Sequence, residues 1–314
     1  MLPALPERLR LQFLGLIGEQ VKPWLDDLPG LVGRLCREWD VQLEGTFAGG
    51  WSAYVAFGTR RGEPVVLKVA PRPADGRAEI GGLVARDGVG VPRLLCHDLA
   101  AAALLLPRVQ PGVSVNAREL RADEAAGLLR RLHVPVDVPP EHVPLLRERL
   151  AAQWAAHATR NRRLSRSLPD ELVADAASAA EQLSDSWSRS VLLHGDFEAR
   201  NLLHAAGGLV AIDSPAAVGD PGYDAASWVM SEHDGDAQAF RASVAQFVHA
   251  LAYPEQRLWR WAWPLAVDSL LAKLSEPGWS SEAVGEAFAV AGLVAGVAAP
   301  DWRGALAERH AATP

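Results

Sequence analysis

Three features of the chain predict an α+β fold of two lobes, a small antiparallel sheet followed by a larger, mainly helical part. Residues 41–70 read as strand, turn, strand, turn, strand (VQLEGTF, AGGWS, AYVAFGT, RRGE, PVVLKVA), with glycine-bearing turns between β-favouring runs. Beyond about residue 140 the chain is rich in Ala, Leu and Trp and mostly helical in pattern. Its 314 residues suit two packed lobes sharing a cleft better than one small module.

The opening MLPALPERLRLQFLGLIGEQ has charges that interrupt its apolar run, and no small-residue cleavage site follows, so it reads as an ordinary amphipathic start rather than a targeting segment. After the three strands, Ala78 to Asp87 has helical composition, and PRLLCHD and AALLLPRV complete a small sheet. Pro107 and Pro111-Gly112 then break the pattern, which puts a first lobe at residues 1–110 and a second at 111–314. Arg118 to His133 returns to helical spacing, and Val191–Leu203 with Gly208–Asp213 form a strand-like island among helices. The apolar stretch Ala287–Pro300 is shorter than the ~20 residues a bilayer demands and reads as a closely packed helix. Trp259, Trp261 and Trp263 are expected in a helical core, with a sugar-stacking surface as the alternative.

With 49% hydrophobic and 22% charged residues the chain is globular. A net charge of −7 argues against a nucleic-acid partner, which needs clustered Lys and Arg, and would steer a cationic ligand favourably. Cys36 and Cys96 are the only cysteines and show no CxxC or His-Cys spacing, so neither a disulfide framework nor zinc is suggested and a reducing cytoplasm fits. No membrane segment and no obligate protein partner are expected.

The informative stretch is VLLHGDFEARNLLHAAGGLVAIDSP, residues 191–215. Asp196 is followed five positions later by Asn201, and a strand-like run then ends at Asp213. Phosphoryl transfer depends on positioning and charge: one carboxylate orients the acceptor hydroxyl, while an Asn oxygen and a second carboxylate hold Mg²⁺, a hard cation that prefers oxygen. The D-x4-N spacing followed by a strand-terminal Asp is the protein-kinase arrangement. Asp196 is therefore the expected catalytic base, and Asn201 and Asp213 the expected metal ligands. His194 is expected to brace this loop rather than move protons, and Asp220, before Pro221, to cap a helix.

HGDFEARNLL together with AIDSPAAVGDPGYD resembles the aminoglycoside phosphotransferase superfamily, in particular its streptomycin 6-phosphotransferase and hydroxyurea phosphotransferase branch. The likeness extends to LPGLVGRLCREWDVQLEG, LKVA, VPRLL, ALLLPRV and LLRRLH, nearly the whole chain. It implies a bilobal protein-kinase-like fold and a small-molecule kinase that uses Mg²⁺ and ATP, with GTP left open as donor. It further implies that Lys68 touches the phosphates and pairs with Glu79, that Gly49, Gly50 and Ser52 cover the phosphates, and that the Leu106 to Val109 hinge meets the adenine. Asp224 would brace the catalytic loop, with a surface helix carboxylate as the alternative. The acceptor is expected to be hydroxylated and cationic, streptomycin-like in the first instance. Glu198, Glu232, Asp234 and Asp236 are candidate contacts to it, with a solvated loop as the alternative for the last three.

Two departures bear on the acceptor: Glu198 stands where many members carry His, and Ser214 precedes Pro215 where Pro often follows the metal-binding Asp directly. They leave open a kinase of an endogenous amino sugar or amino alcohol. A catalytically silent nucleotide-binding module is the reading from another class; the presence of Lys68, Asp196, Asn201 and Asp213 together argues against it.

Overall fold

The computed structural model describes residues 6–47, 53–116, 120–164, 168–231, 237–275 and 279–311. In chain order the elements are α1 (Glu7–Ile17), α2 (Lys22–Glu38), β1 (Gln42–Thr46), β2 (Tyr54–Arg60), β3 (Glu63–Val69), α3 (Pro73–Arg86), β4 (Cys96–Asp98), β5 (Ala103–Pro107), β6 (Pro111–Ser114), α4 (Ala122–Leu132) and β7 (Val134–Pro135). There follow α5 (Leu146–Asn161), α6 (Asp170–Asp185), β8 (Val191–Leu193), β9 (Leu202–Ala205), β10 (Gly208–Ala211), β11 (Ala217–Gly219), α7 (Gly222–Ser231), α8 (Ala237–Leu251), α9 (Glu255–Ser275), α10 (Ser281–Ala298) and α11 (Arg303–Ala311). They fall into two compact units. One comprises Met1–Val113, Pro140–Val143 and His204–Pro215; the other comprises Ser114–Pro139, Pro144–Leu203 and Ala216–Pro314.

The first unit is built on a five-stranded antiparallel sheet in the order β1-β2-β3-β5-β4. Arg61 and Gly62, both at positive φ, close the β2–β3 hairpin, a two-residue turn whose twist suits the strands it joins. Strand side chains alternate between faces. On β3, Val65, Leu67 and Val69 therefore enter one core with Leu9 and Phe13 of α1 and Leu25, Leu28, Val32 and Leu35 of α2, whose three- and four-residue spacing makes a single apolar stripe. Lys68 consequently belongs to the opposite face of β3.

The second unit is mainly helical. Helix α9 packs against α6, α7 and α10, and α5 against α6. All three of its alternating tryptophans are buried, which answers the sequence alternative in favour of core: Trp261 is fully enclosed, and the ring nitrogens of Trp259, Trp261 and Trp263 donate to Glu255, Asp220 and Asp175. Helix α10 is long and apolar enough to cross a membrane by length and composition; here Phe288, Val290, Ala291 and Val294 are buried, and the helix packs on α9 and α11. Its first turn is capped by Ser280, whose hydroxyl accepts from the Ala283 amide at 3.1 Å. A short sheet, β11-β8-β7, carries the buried strand β8, and the chain leaving β8 at Leu193 enters the HGD sequence.

Candidate active site

In the first unit the Lys68 ammonium donates to Glu79 Oε1 at 2.8 Å and to Asp213 Oδ1 at 2.7 Å. Glu79 comes from α3, and both it and Lys68 are only 6% exposed. Asp213 lies two residues beyond β10 with φ 56°, a left-handed conformation that aspartate tolerates better than most residues, and it is exposed. Burial alone would lower the Lys68 pKa, but the neighbouring charges of Asp213 and Glu79 reverse that and raise it well above the ordinary lysine value. The ammonium therefore stays charged throughout the physiological range. With both carboxylates ionised the trio carries one net negative charge, and Asp213 is its accessible member.

In the second unit the loop after β8 is held from below by Asp224 of α7. Its carboxylate, fully buried, accepts from the His194 amide at 2.7 Å, the Gly195 amide at 2.8 Å and the His133 ring at 3.0 Å. Burial pushes the Asp224 pKa upward, but these donors and the adjacent imidazoles outweigh it and hold the carboxyl below its usual value. Gly195 has φ 89°, a conformation glycine adopts without the steric cost of a Cβ. Arg149 of α5 donates to the Gly195 carbonyl at 2.9 Å and lies 5.2 Å above the Tyr223 ring, pinning the same turn from another side. The loop is thus fixed at both amides and at one carbonyl before Asp196 is reached.

Asp196 and Asn201 are brought together directly. The Asn201 amide nitrogen donates to the Asp196 backbone carbonyl and to its Oδ2, each at 2.8 Å. Its amide oxygen makes no hydrogen bond among the described residues. Asn201 is buried, whereas Asp196 is partly accessible. The Asp196 carboxylate also accepts from Arg200 Nη2 at 3.1 Å, and the same nitrogen is 3.1 Å from Glu198 Oε2. Burial first, and the charge of Asp196 second, push the Glu198 carboxyl up to about 7, with Arg200 pulling the other way.

His194 is completely buried, and its Nδ1 accepts from the Asp196 amide at 3.3 Å, a bracing contact. Leu106 is the penultimate residue of β5, paired with Val66 and buried, and Val109 follows just beyond the strand. Gly49, Gly50, Ser52, Glu232, Asp234 and Asp236 lie outside the described residues. Asp220 does more than cap. Besides accepting from the Gly222 amide at 2.9 Å, it takes bonds from Tyr253, Arg257 and Trp261, so it is a buried hub joining α7 to α9.

Sequence reasoning missed Arg149 and His133. The latter ends the LLRRLH segment, and a histidine closing an amphipathic helix was the available signal. It also missed His157 of α5, whose ring is hydrogen-bonded to Asp268 of α9. Among the described residues no group of three or more His, Cys, Asp or Glu could hold a metal ion. The Asp213 carboxylate of the first unit and the Asn201 amide oxygen of the second are each hard oxygen donors of the kind Mg²⁺ prefers.

The description "aminoglycoside/hydroxyurea antibiotic resistance kinase" fits residues 38–276 of the chain. The streptomycin 6-kinase of Streptomyces glaucescens is 32% identical over 227 residues, covering 70% of this chain and 72% of its own. The hydroxyurea phosphotransferase of Kitasatospora aureofaciens is 31% identical, covering 71% and 66%. Among solved structures, choline kinase LicA from Streptococcus pneumoniae superimposes with a TM-score of 0.62 at 10% identity over 86% of this chain and 99% of that one, which shows a shared protein-kinase-like fold. The chain belongs to the aminoglycoside/hydroxyurea antibiotic resistance kinase family and is a phosphotransferase acting on a hydroxyl group of a small molecule.

Proposed function

We propose that the protein transfers the γ-phosphoryl group of ATP to a hydroxyl of a streptomycin-like aminoglycoside in the cytoplasm, with the first unit binding the nucleotide and the second the acceptor. The observation that carries this reading is the Asp196–Asn201 pair. One residue offers an accessible carboxylate for the acceptor hydroxyl, and the other buttresses it through nitrogen while keeping an oxygen for a cation. Asp196 orients the attacking hydroxyl and accepts its proton as the oxygen–phosphorus bond forms. Lys68, steadied by Glu79, neutralises the phosphates, and Asn201 and Asp213 would hold Mg²⁺. When bound, that ion supplies charge neutralisation at the phosphate oxygens. Gly49, Gly50 and Ser52 are assigned to the phosphates, Leu106 and Val109 to the adenine, and Glu198, Glu232, Asp234 and Asp236 to a cationic acceptor.

The test is a labelled-phosphate transfer assay with Mg²⁺, using ATP and GTP in turn, against streptomycin, other aminoglycosides, hydroxyurea, amino sugars and amino alcohols. Transfer to streptomycin, with protection of a susceptible bacterium on expression, is expected. Transfer confined to amino sugars or amino alcohols would replace the aminoglycoside by an endogenous metabolite. Nucleotide binding with no transfer to any acceptor would overturn the reading.

Lys68→Met is expected to lower turnover about 10²–10³-fold, the usual loss when one preorganised charge-stabilising donor is removed. Its stability cost should stay near 1–3 kcal/mol, because the stranded Glu79 can take up a proton and Asp213 reaches solvent. Steady-state kinetics beside urea unfolding would separate the two effects.

A further inference from the structure

Gly195 and Asp196 are joined by a peptide group that is held at both of its polar ends. Its carbonyl oxygen accepts from Arg149 Nη2 at 2.9 Å, and its N–H, the amide of Asp196, donates to His194 Nδ1 at 3.3 Å. The group is trans and planar, so its oxygen and hydrogen lie on opposite edges, and holding both fixes the plane. Gly195, at φ 89°, has no Cβ to oppose a turnover of that plane. The plane in turn sets the direction in which the Asp196 side chain leaves the backbone. Of the two holds the guanidinium's is the stronger, being charge-assisted, whereas the other is long for a hydrogen bond. Asn201 also grips Asp196, but through its carbonyl and its carboxylate, which ties Asp196 to the far end of the loop and leaves the Gly195 carbonyl unheld.

Arg149 reaches that carbonyl because the start of α5 is tied to the strands that deliver the loop. Just before α5 the Pro144 carbonyl accepts from the Val218 amide of β11 at 2.9 Å, and Leu145 forms a bridge to Val218. Gly219 admits Leu146 closely: a Cβ at Gly219 would lie 2.7 Å from that of Leu146. Strand β11 pairs with β8, Ala217 opposite Leu193. Arg149 stands about one helical turn further along α5, over the ring of the buried Tyr223. Burial pushes the Tyr223 phenol up to about 12, so the ring stays neutral and offers no anion to draw the guanidinium off the carbonyl.

We propose that Arg149 is a positioning residue for phosphoryl transfer: by clamping the Gly195–Asp196 peptide against His194 it aims the Asp196 carboxylate, acting through the backbone and touching neither substrate. Without it the peptide turns over in part of the molecules, and in those Asp196 no longer faces the acceptor hydroxyl. The loss therefore falls on kcat, and both substrates bind as before. This inference rests on the proposed role of Asp196 as base and deepens it.

The experiment combines steady-state kinetics on streptomycin with hydrogen exchange, in the parent, Arg149→Ala, Arg149→Lys, Asp196→Asn and the double variant Arg149→Ala with Asp196→Asn. Arg149→Ala is expected to lower kcat about 10²-fold, the usual result of misplacing a catalytic group by ~1 Å, with the KM for ATP and for streptomycin unchanged. Arg149→Lys should recover about tenfold of that loss, because an ammonium still makes a charge-assisted bond but neither forks nor lies flat on Tyr223. In the Asp196→Asn background Arg149→Ala should cost nothing further, since the two residues act as a unit. Exchange, which needs no turnover, should become up to roughly tenfold faster at the Asp196 amide in Arg149→Ala, as for the loss of one hydrogen bond. The His194 and Gly195 amides, held by Asp224, should keep the parental rate.

Parental turnover in Arg149→Ala, with Asp196→Asn impaired, would overturn this inference alone. So would an equal loss of kcat in both backgrounds, or an Asp196 amide that exchanges at the parental rate. Parental turnover in Asp196→Asn would overturn the role of Asp196 and this inference with it. Absence of turnover on every acceptor, with the exchange pattern as expected, would refute the phosphotransfer reading and leave the clamp standing. Circular dichroism shows whether each variant folds; should Arg149→Ala fail to do so, Arg149→Lys keeps the stem and the charge, and its kcat and Asp196 exchange rate decide.

Discussion

Replacing Asp196 by asparagine is expected to reduce turnover about 10²–10⁴-fold, the usual contribution of a general base, with nucleotide affinity unchanged. The asparagine side chain occupies the same space and can still accept from Asn201, which donates to Asp196 at 2.8 Å, so the loop has no steric reason to rearrange. What is lost, in the proposed mechanism, is the negative charge that aligns the acceptor hydroxyl and the site that takes its proton. Nucleotide affinity should survive because Lys68, the group assigned to the phosphates, is bonded to Glu79 and to Asp213 independently of Asp196. Rapid-quench kinetics with streptomycin, alongside calorimetric titration of Mg²⁺-ATP, would measure both quantities. Turnover within threefold of the parent would remove Asp196 from the role of base.

Asp224→Ala is expected to be the most destabilising single change at the site, by about 3–5 kcal/mol, a large share of the 5–15 kcal/mol that holds a typical domain. The carboxylate is wholly buried and accepts three bonds, from His194, Gly195 and His133, so truncation strands two backbone donors and an imidazole away from water. Asp224→Asn keeps an acceptor but turns an amide N–H₂ toward one of those donors, and should cost roughly 1–3 kcal/mol. Urea unfolding at neutral pH would give both values.

The pH dependence has a definite sign. The Asp224 carboxyl is held below its ordinary value in the folded protein, so its stabilising contribution is complete above the unfolded aspartate pKa of about 3.9 and is lost as pH falls through the lower folded value. The stability gap between the parent and Asp224→Ala should therefore be constant at neutral pH and narrow in acid below about pH 4. A gap that widened in acid would mean that the carboxyl is neutral in the fold.

The fold class was legible because the signals that specify it are local. Alternation along PVVLKVA put Val65, Leu67 and Val69 on one face and Lys68 on the other, and helical spacing carried most of the second unit. The pairing of Lys68 with Glu79 was implied by family likeness, and the helix register needed to place Glu79 followed from the fold rather than from its own sequence. Asp220 was only half read: a capping aspartate is visible from the following proline, but Tyr253, Arg257 and Trp261, the partners that make it a hub, stand 33 to 41 residues away. Arg149 was invisible for the same reason, since a lone arginine on a helix gives no sign of the carbonyl it will meet 46 positions later. Long-range polar partners are chosen by tertiary packing, and a single sequence records them only as isolated residues.

Residues 204–215 fold with the first unit although they follow Asp196 in the chain, as do the four residues 140–143. The two units are therefore interleaved in the gene, and no single cut separates them. A fragment ending at Val113 would carry Lys68 and Glu79 without Asp213, leaving the ammonium short of half its counter-charge. Recombination that exchanged one unit for a relative's would have to move three stretches in concert.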